Sequence, residues 1–321
     1  MDHEGTDRKV QEFRLPAAIL EEYGYESAYA KMGLKHDIRQ LSEKDYKFEP
    51  TVSRCPYTAR QLGLDEPTDG KSAKRFPIAI AKQLNASVGD IFKQRYLNPR
   101  PQVTTLQIPS QGVGEWCHPE YCPAINDSVL RTKVRNNRIY VAGVPFEMTP
   151  KGKNIAYTSL WENYPDEITF KLKGMPKEKP ANGVKGGFSF AYLLMAGSTN
   201  HMQTRIDNAV VVATYKDHTT DTLHLVPPYN WCPIEQDYYV DGHAFSTVEP
   251  RPYRLCLGTG DASRDLGKTL GIEGVYGREI PGGAAQMLKM PLNPKKKLKT
   301  ITVRTLSNDV VVGLMAITLE K

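Results

Sequence analysis

No apolar run in this chain approaches the roughly 18 residues that a membrane-crossing helix needs, so no helical span is expected. The opening stretch, MDHEGTDRKVQEF, is polar and carries no signal-peptide core. Cysteine is scarce: 5 in 321 residues, an odd number that cannot all pair internally. Cys117 and Cys122 are close enough to bridge, or, with His118 between them, to make half a metal site. A second pair at similar spacing is missing, because Cys55, Cys232 and Cys256 stand alone. The cysteines therefore read as structural or free thiols, with no metal and no cofactor expected. Also missing are Gly-x-Ser-x-Gly, His-Glu-x-x-His and any Cys/His dyad at recognised spacing. Gly258–Gly283 is glycine-rich, but no Lys-Ser/Thr follows and no βαβ pattern surrounds it, so it is not a nucleotide loop.

What is present is an ordinary hydrophobic content of 40%, which excludes a disordered or collagen-like chain. The net charge of +6 is spread among mixed signs. The one dense cluster, Lys295-Lys296-Lys297 with Lys299, has no interleaved aromatics and reads as a solvated turn that opens a strand.

Strands dominate after residue 100. Short apolar or alternating runs fall at Val103–Ile108, Arg138–Val141, Val144–Met148, Glu167–Leu172, Phe188–Met195, Ala209–Tyr215 and Thr222–Val226. Four more follow at Tyr253–Leu257, Ala284–Met290, Lys299–Thr305 and Val310–Thr318. Gly, Pro, Asn or Asp separates most of them, which predicts a mainly β fold, an antiparallel β-sandwich of the jelly-roll or galactose-binding-like kind. The three runs from Phe188 to Val226 read as a meander. The last run is apolar on both faces and should be central.

Residues 1–100 differ. Helical runs over residues 15–23 and 26–32 and an irregular Pro/Gly-rich stretch predict a helical and irregular extension packed on a sandwich at 136–321, with 101–135 as a junction loop. The segment Ile80–Arg95 resembles the helix-turn-helix of small bacterial repressors, with Ser87 and Asp90 placed to cap its second helix. That helix would bury Val88, Ile91, Phe92 and Tyr96, leaving Lys93, Gln94 and Arg95 for a DNA groove. DNA binding is thus an alternative, and nucleic acid is not the expected partner. In the junction, Trp116, His118, Glu120 and Tyr121 fit either a sugar site or a loop plugging the sandwich.

The densest chemical constellation is Tyr229, Trp231, Glu235, Asp237, Tyr238, Tyr239, Asp241 and His243, with Asn200 and His201 on a hairpin tip that could flank it. Aromatic rings stack on pyranose faces and carboxylates accept hydroxyl protons, so Tyr229, Trp231 and Tyr238 would stack on sugar. Asn200, His201, Glu235, Asp237, Asp241 and His243 would hold hydroxyls. Glu235 and Asp237, two apart on extended chain, point the same way, as a glycoside hydrolase pair would need. A bound calcium or a purely structural role would explain the same carboxylates.

Gly143-Val144-Pro145-Phe146, Lys153–Ala156, Trp161, Pro165, Tyr192–Thr199, Tyr215 and Trp231 resemble a known group, as do the stretches IPSQGVGEWCHP, YGREIPGGAAQMLKMPL and VRTLSNDVVVGLMAITL. They are similar to the C-terminal galactose-binding-like β-sandwich of large six-hairpin glycosidase-like proteins of polysaccharide-utilising bacteria. The resemblance covers roughly residues 75–321. It implies a carbohydrate-associated accessory module that binds glycan or supports a glycoside hydrolase catalytic region, in the periplasm or at the cell surface. Without the resemblance, the polar N-terminus would predict a cytoplasmic protein. The several hundred residues of a helical toroid are missing, so that group's catalytic acid and base cannot be placed here.

Overall fold

Strands that are apolar on one face and strands that are apolar on both end up in different sheets of this protein. The computed structural model describes residues 55–69, 73–92, 124–160, 164–172, 187–199, 204–240, 247–274, 278–307 and 310–321. The chain divides into two units, Met1–Ser53 and Arg54–Lys321, and every described residue belongs to the second. The helical runs before residue 40, the strand at 103–108 and the junction residues Trp116, Cys117, His118, Glu120, Tyr121 and Cys122 lie outside the described residues.

Strands are numbered in chain order. One antiparallel sheet of four strands runs in the order β5 (Glu167–Lys171), β12 (Leu298–Thr305), β7 (Ala209–Tyr215), β8 (Thr220–Leu225). Its strands alternate. Phe170, Ile301, Val303, Val211, Ala213, Leu223 and Leu225 turn into the core. On the other face Thr169 meets Thr302 at 2.9 Å and Arg304 meets Glu167 at 2.7 Å, cross-strand polar pairs suited to water.

The second sheet has seven strands. Its main path is β1 (Arg75–Ile78), β13 (Val312–Glu320), β6 (Phe190–Gly197), β11 (Ala284–Pro291), β9 (Tyr253–Cys256), β10 (Ala262–Ser263). β4 (Ala156–Thr158) shares with β1 the edge of β13 that faces away from β6. The fold is therefore the expected mainly β, antiparallel, sandwich-like arrangement. β6 sends Ala191, Leu193 and Met195 into the core between the sheets and Tyr192, Leu194 and Ala196 into a second core on its other side. β13 is central and fully buried, as its two apolar faces require. A bulge at Met315 lets two consecutive residues, Met315 and Ala316, enter the second core before the alternation resumes.

The second core is covered by the hairpin β2 (Arg138–Val141) and β3 (Val144–Glu147), by the short helix α1 (Ser128–Thr132) and by the chain at 86–92. Ala142 and Gly143 link the hairpin with φ of +45° and +77°, as a two-residue type I′ turn demands.

Two expectations are corrected. β6 does not form a meander with β7 and β8, because the chain crosses between sheets after Gly197. A strand apolar on both faces needs cover on both, which the four-stranded sheet with its wet face cannot give. Nor is 80–92 a pair of repressor-like helices. It forms two three-residue 3-10 turns, Ala81–Gln83 and Val88–Asp90, held by the pairing of Ala86 with Ile155. Val88, Ile91 and Phe92 are buried as expected, but Ser87 caps nothing, and the Val88 N–H donates to Asn154 Oδ1 instead. Residues 93–95, which would face DNA, lie outside the described residues.

A buried polar network ties the chain ahead of β1 to the C-terminal strand. Glu320 Oε2 accepts from Arg75 Nε at 3.0 Å and from the Tyr192 hydroxyl at 2.9 Å, while Oε1 accepts from Thr68 Oγ1 at 2.5 Å. Lys289 Nζ donates to the Glu66 carbonyl at 2.8 Å and to Thr68 Oγ1 at 3.0 Å, and burial lowers its pKa.

Candidate functional site

The aromatic segment after β8 runs through the interior, because its backbone is satisfied by side chains. Asn230 accepts from the Val226 N–H at 2.8 Å and donates to the Leu62 and His224 carbonyls at 2.9 and 2.7 Å. Gln286 of β11 accepts from the Cys232 N–H and donates to the Asn230 carbonyl. Burying such a loop is tolerable only with this pairing. Tyr229 and Trp231 consequently join the core between the sheets. Trp231 is 0% exposed, its Nε1–H donates to the Ser198 carbonyl at 2.9 Å, and its ring lies against Gly197, where any Cβ would come within 2.7 Å of Cζ2. Neither of its faces is open to a sugar, so the stacking role expected for it gives way to packing.

Glu235 and Asp237 flank the bridge between Gln236 and Glu279, and both turn inward while Gln236 is only half-buried. Their environments differ. The Asp237 carboxylate is held between Arg278 Nη2 at 3.1 Å and Arg254 Nη1 at 3.5 Å. Gly267 of the helix α2 (Leu266–Leu270) packs against that pair so closely that a Cβ there would sit 2.7 Å from Asp237 Oδ2. Glu235, 8% exposed, has a buried Oε2 without a hydrogen-bond partner. Burial pushes its carboxyl up to about 7.

Arg254 Nε is likewise buried without a partner, and the Tyr238 phenol and Thr199 hydroxyl, buried beside each other, find no partner elsewhere among the described residues. Burial raises that phenol well above its ordinary value, with the Cys232 thiol beside it adding to the rise. A carboxyl that stays protonated near neutrality is what a general acid needs. The recess beside Asp237, Tyr238 and Arg254 holds only about 10 Å³, however, room for a single water rather than a pyranose ring.

No family of known proteins matches this chain, and no curated protein is similar enough to count as a relative. Function must be read from its own surface. Asn200, His201, Asp241 and His243 lie outside the described residues. Among the described residues no group of three or more His, Cys, Asp or Glu side chains is placed to hold a metal.

The large concavity lies elsewhere, on the layer that covers the second core. It is a groove of about 720 Å³, between the 3-10 turn at Val88–Asp90, α1 and the bend at 150–153, with Tyr164 on its wall. That volume is ordinary for a small-ligand site. Its floor is rigid. Asp127 Oδ2 accepts from Asn154 Nδ2 at 2.6 Å and from Arg131 Nε at 2.9 Å. Arg131 also donates to Ser87 Oγ at 3.1 Å and to the Gly152 carbonyl at 3.0 Å. Asn85 exchanges hydrogen bonds of 2.8 and 2.9 Å with the backbone of Tyr157, like an extra strand residue. Tyr164 is braced against Tyr157, ring centroids 5.2 Å apart. These residues are inconspicuous in the sequence because they come from four separate segments of the chain. Ser87 and Asp90 drew notice only as caps, and no spacing links them to Arg131 or Tyr164.

Proposed function

We propose that this protein is a carbohydrate-associated binding module that holds a glycan in the groove between Ser87, Asp90, Lys151, Lys153 and Tyr164 and supports a glycoside hydrolase catalytic region. The observation carrying the reading is the groove itself: an open trough of mixed polar and apolar lining, its floor fixed by the Asp127–Arg131–Asn154 network, with the braced Tyr164 ring on its wall. Preorganised hydroxyl and carboxylate groups beside a ring face suit a polyhydroxylated ligand, since little side-chain ordering remains to oppose binding. The sandwich architecture agrees with the resemblance noted above, although fold alone does not fix function. Glu235 and Asp237 are buried, and the recess beside Asp237 and Tyr238 is far smaller than the groove, which supports binding over turnover.

A glycan array probed with the purified chain, with and without calcium, tests the reading. Retention of at least one glycan is expected, abolished by Tyr164→Ala with Asp90→Ala and unchanged by Tyr140→Ala, a residue 65% exposed on β2. Retention of none, or equal retention by the groove variant, would reject it.

A further inference from the structure

Resting on the glycan-binding reading, we infer that the groove selects an anionic saccharide, whose carboxylate or sulfate sits between Lys151 and Lys153 while Ser87 and Asp90 take neighbouring hydroxyls. The charges along the groove carry this step. Among the described residues, three cations, Arg131, Lys151 and Lys153, and two carboxylates, Asp90 and Asp127, line the groove, a net of plus one. The charges are also unequally used. Arg131 and Asp127 neutralise each other at 2.9 Å, and further guanidinium N–H groups donate to Ser87 and Gly152. Lys151 and Lys153 are exposed and form no ion pair among the described residues. Lys133 and Lys296, by comparison, pair with Asp261 at 3.5 Å and with Asp217 at 3.2 Å.

The bend that carries the two lysines is set rather than loose. Gly152, at φ +81°, has its carbonyl held by Arg131, and the Lys151 carbonyl accepts from Thr149 Oγ1 at 3.0 Å. Two ammonium groups from one fixed bend, over one groove, form a site for a single anionic substituent. An ammonium is a compact, strongly hydrated charge without the planar fork of arginine, so it accepts carboxylate and sulfate alike. A phosphodiester chain fits poorly, because Asp90 stands in the same groove and, among the described residues, no run of aromatic rings accompanies the lysines.

Calorimetric titration of the full chain with three probes tests the inference: an oligogalacturonate, its neutral methyl ester and a sulfated galactan oligosaccharide. The inference expects one or both acids to bind more tightly than the ester, the better of the two telling carboxylate from sulfate. It also expects weakening between about 0.05 M and about 0.5 M salt. Lys151→Ala with Lys153→Ala should lose about tenfold in affinity, the scale of two exposed charge contacts, while Lys133→Ala changes nothing. Ester and acids binding equally, or a double variant binding as the parent does, would overturn the anionic step and leave glycan binding standing. If none of the three probes binds while the array retains a neutral glycan through Tyr164, the step fails alone. If nothing is retained in either experiment, the step and the reading fall together.

Discussion

Glu235 offers the sharpest quantitative test, because its burial makes stability depend on pH in a direction opposite to that of most carboxylates. Desolvation raises its carboxyl from an ordinary 4.5 to about 7 in the folded protein, opposed by a hydrogen bond from its own backbone N–H and then by the charge of Arg254. Between those values the folded state binds more protons than the unfolded state, so stability falls as pH rises. The Glu235 contribution is fully present below about pH 4.5 and is gone once the pH passes about 7. At ~1.4 kcal/mol per unit, the loss across that window is about 3 kcal/mol.

Urea unfolding at about pH 5 and about pH 8, for the parent and for Glu235→Gln, isolates the effect, because contributions common to the two proteins cancel in the difference. Glu235→Gln is expected to flatten the profile by about 3 kcal/mol and to be the more stable protein at the higher pH. Parallel profiles for the two proteins would refute the reasoning, and with it the buried, unpartnered placement of Oε2.

Trp231→Ala should cost about 3–5 kcal/mol, read as a lower urea midpoint, whereas a surface ring gripping sugar would cost almost nothing in the ligand-free protein. Gly197→Ala, whose Cβ would come within 2.2 Å of the Val311 carbonyl oxygen and 2.7 Å of the same indole, should likewise lower the thermal midpoint. Glu320→Ala leaves Arg75, Tyr192 and Thr68 without their shared acceptor. The expected loss in the same unfolding assay is about 3–5 kcal/mol, the scale for one partner removed from a buried pair.

Much of the fold could be read from period alone. Arg138–Val141 and Ala209–Tyr215 match their strands at both ends, and the doubly apolar final run has neighbours on both sides in its sheet, as it must. Length and partnership limited the rest. β1, β4 and β10 have four, three and two residues, too few for any period to register. β6 was legible as a strand, yet its neighbours were not, since sequence adjacency to β7 competes with the demand for cover on two faces. Val88, Ile91 and Phe92 show the same divide: their burial followed from spacing, while the 3-10 geometry followed from the tether between Ala86 and Ile155.

The site was harder to read than the fold. Aromatic density around Tyr229–Tyr239 signalled importance, but ring-rich loops serve cores as readily as ligands, and Trp231 is core. Glu235 and Asp237 do share an inward face, as their spacing implied, yet Arg254 and Arg278, which hold Asp237, come from residues 17 and 41 positions further on. The groove depends wholly on such distant meetings. Arg131 reaches Ser87 across 44 residues and Gly152 across 21.

The decisive question is whether that groove, rather than the aromatic segment, meets the ligand. Backbone amide shifts recorded during titration with whichever glycan the array retains measure this directly. The largest changes should fall at residues 85–90, 127–131 and 150–153 and vanish in the Tyr164→Ala, Asp90→Ala protein. Changes centred on residues 229–240, with the groove silent, would contradict it.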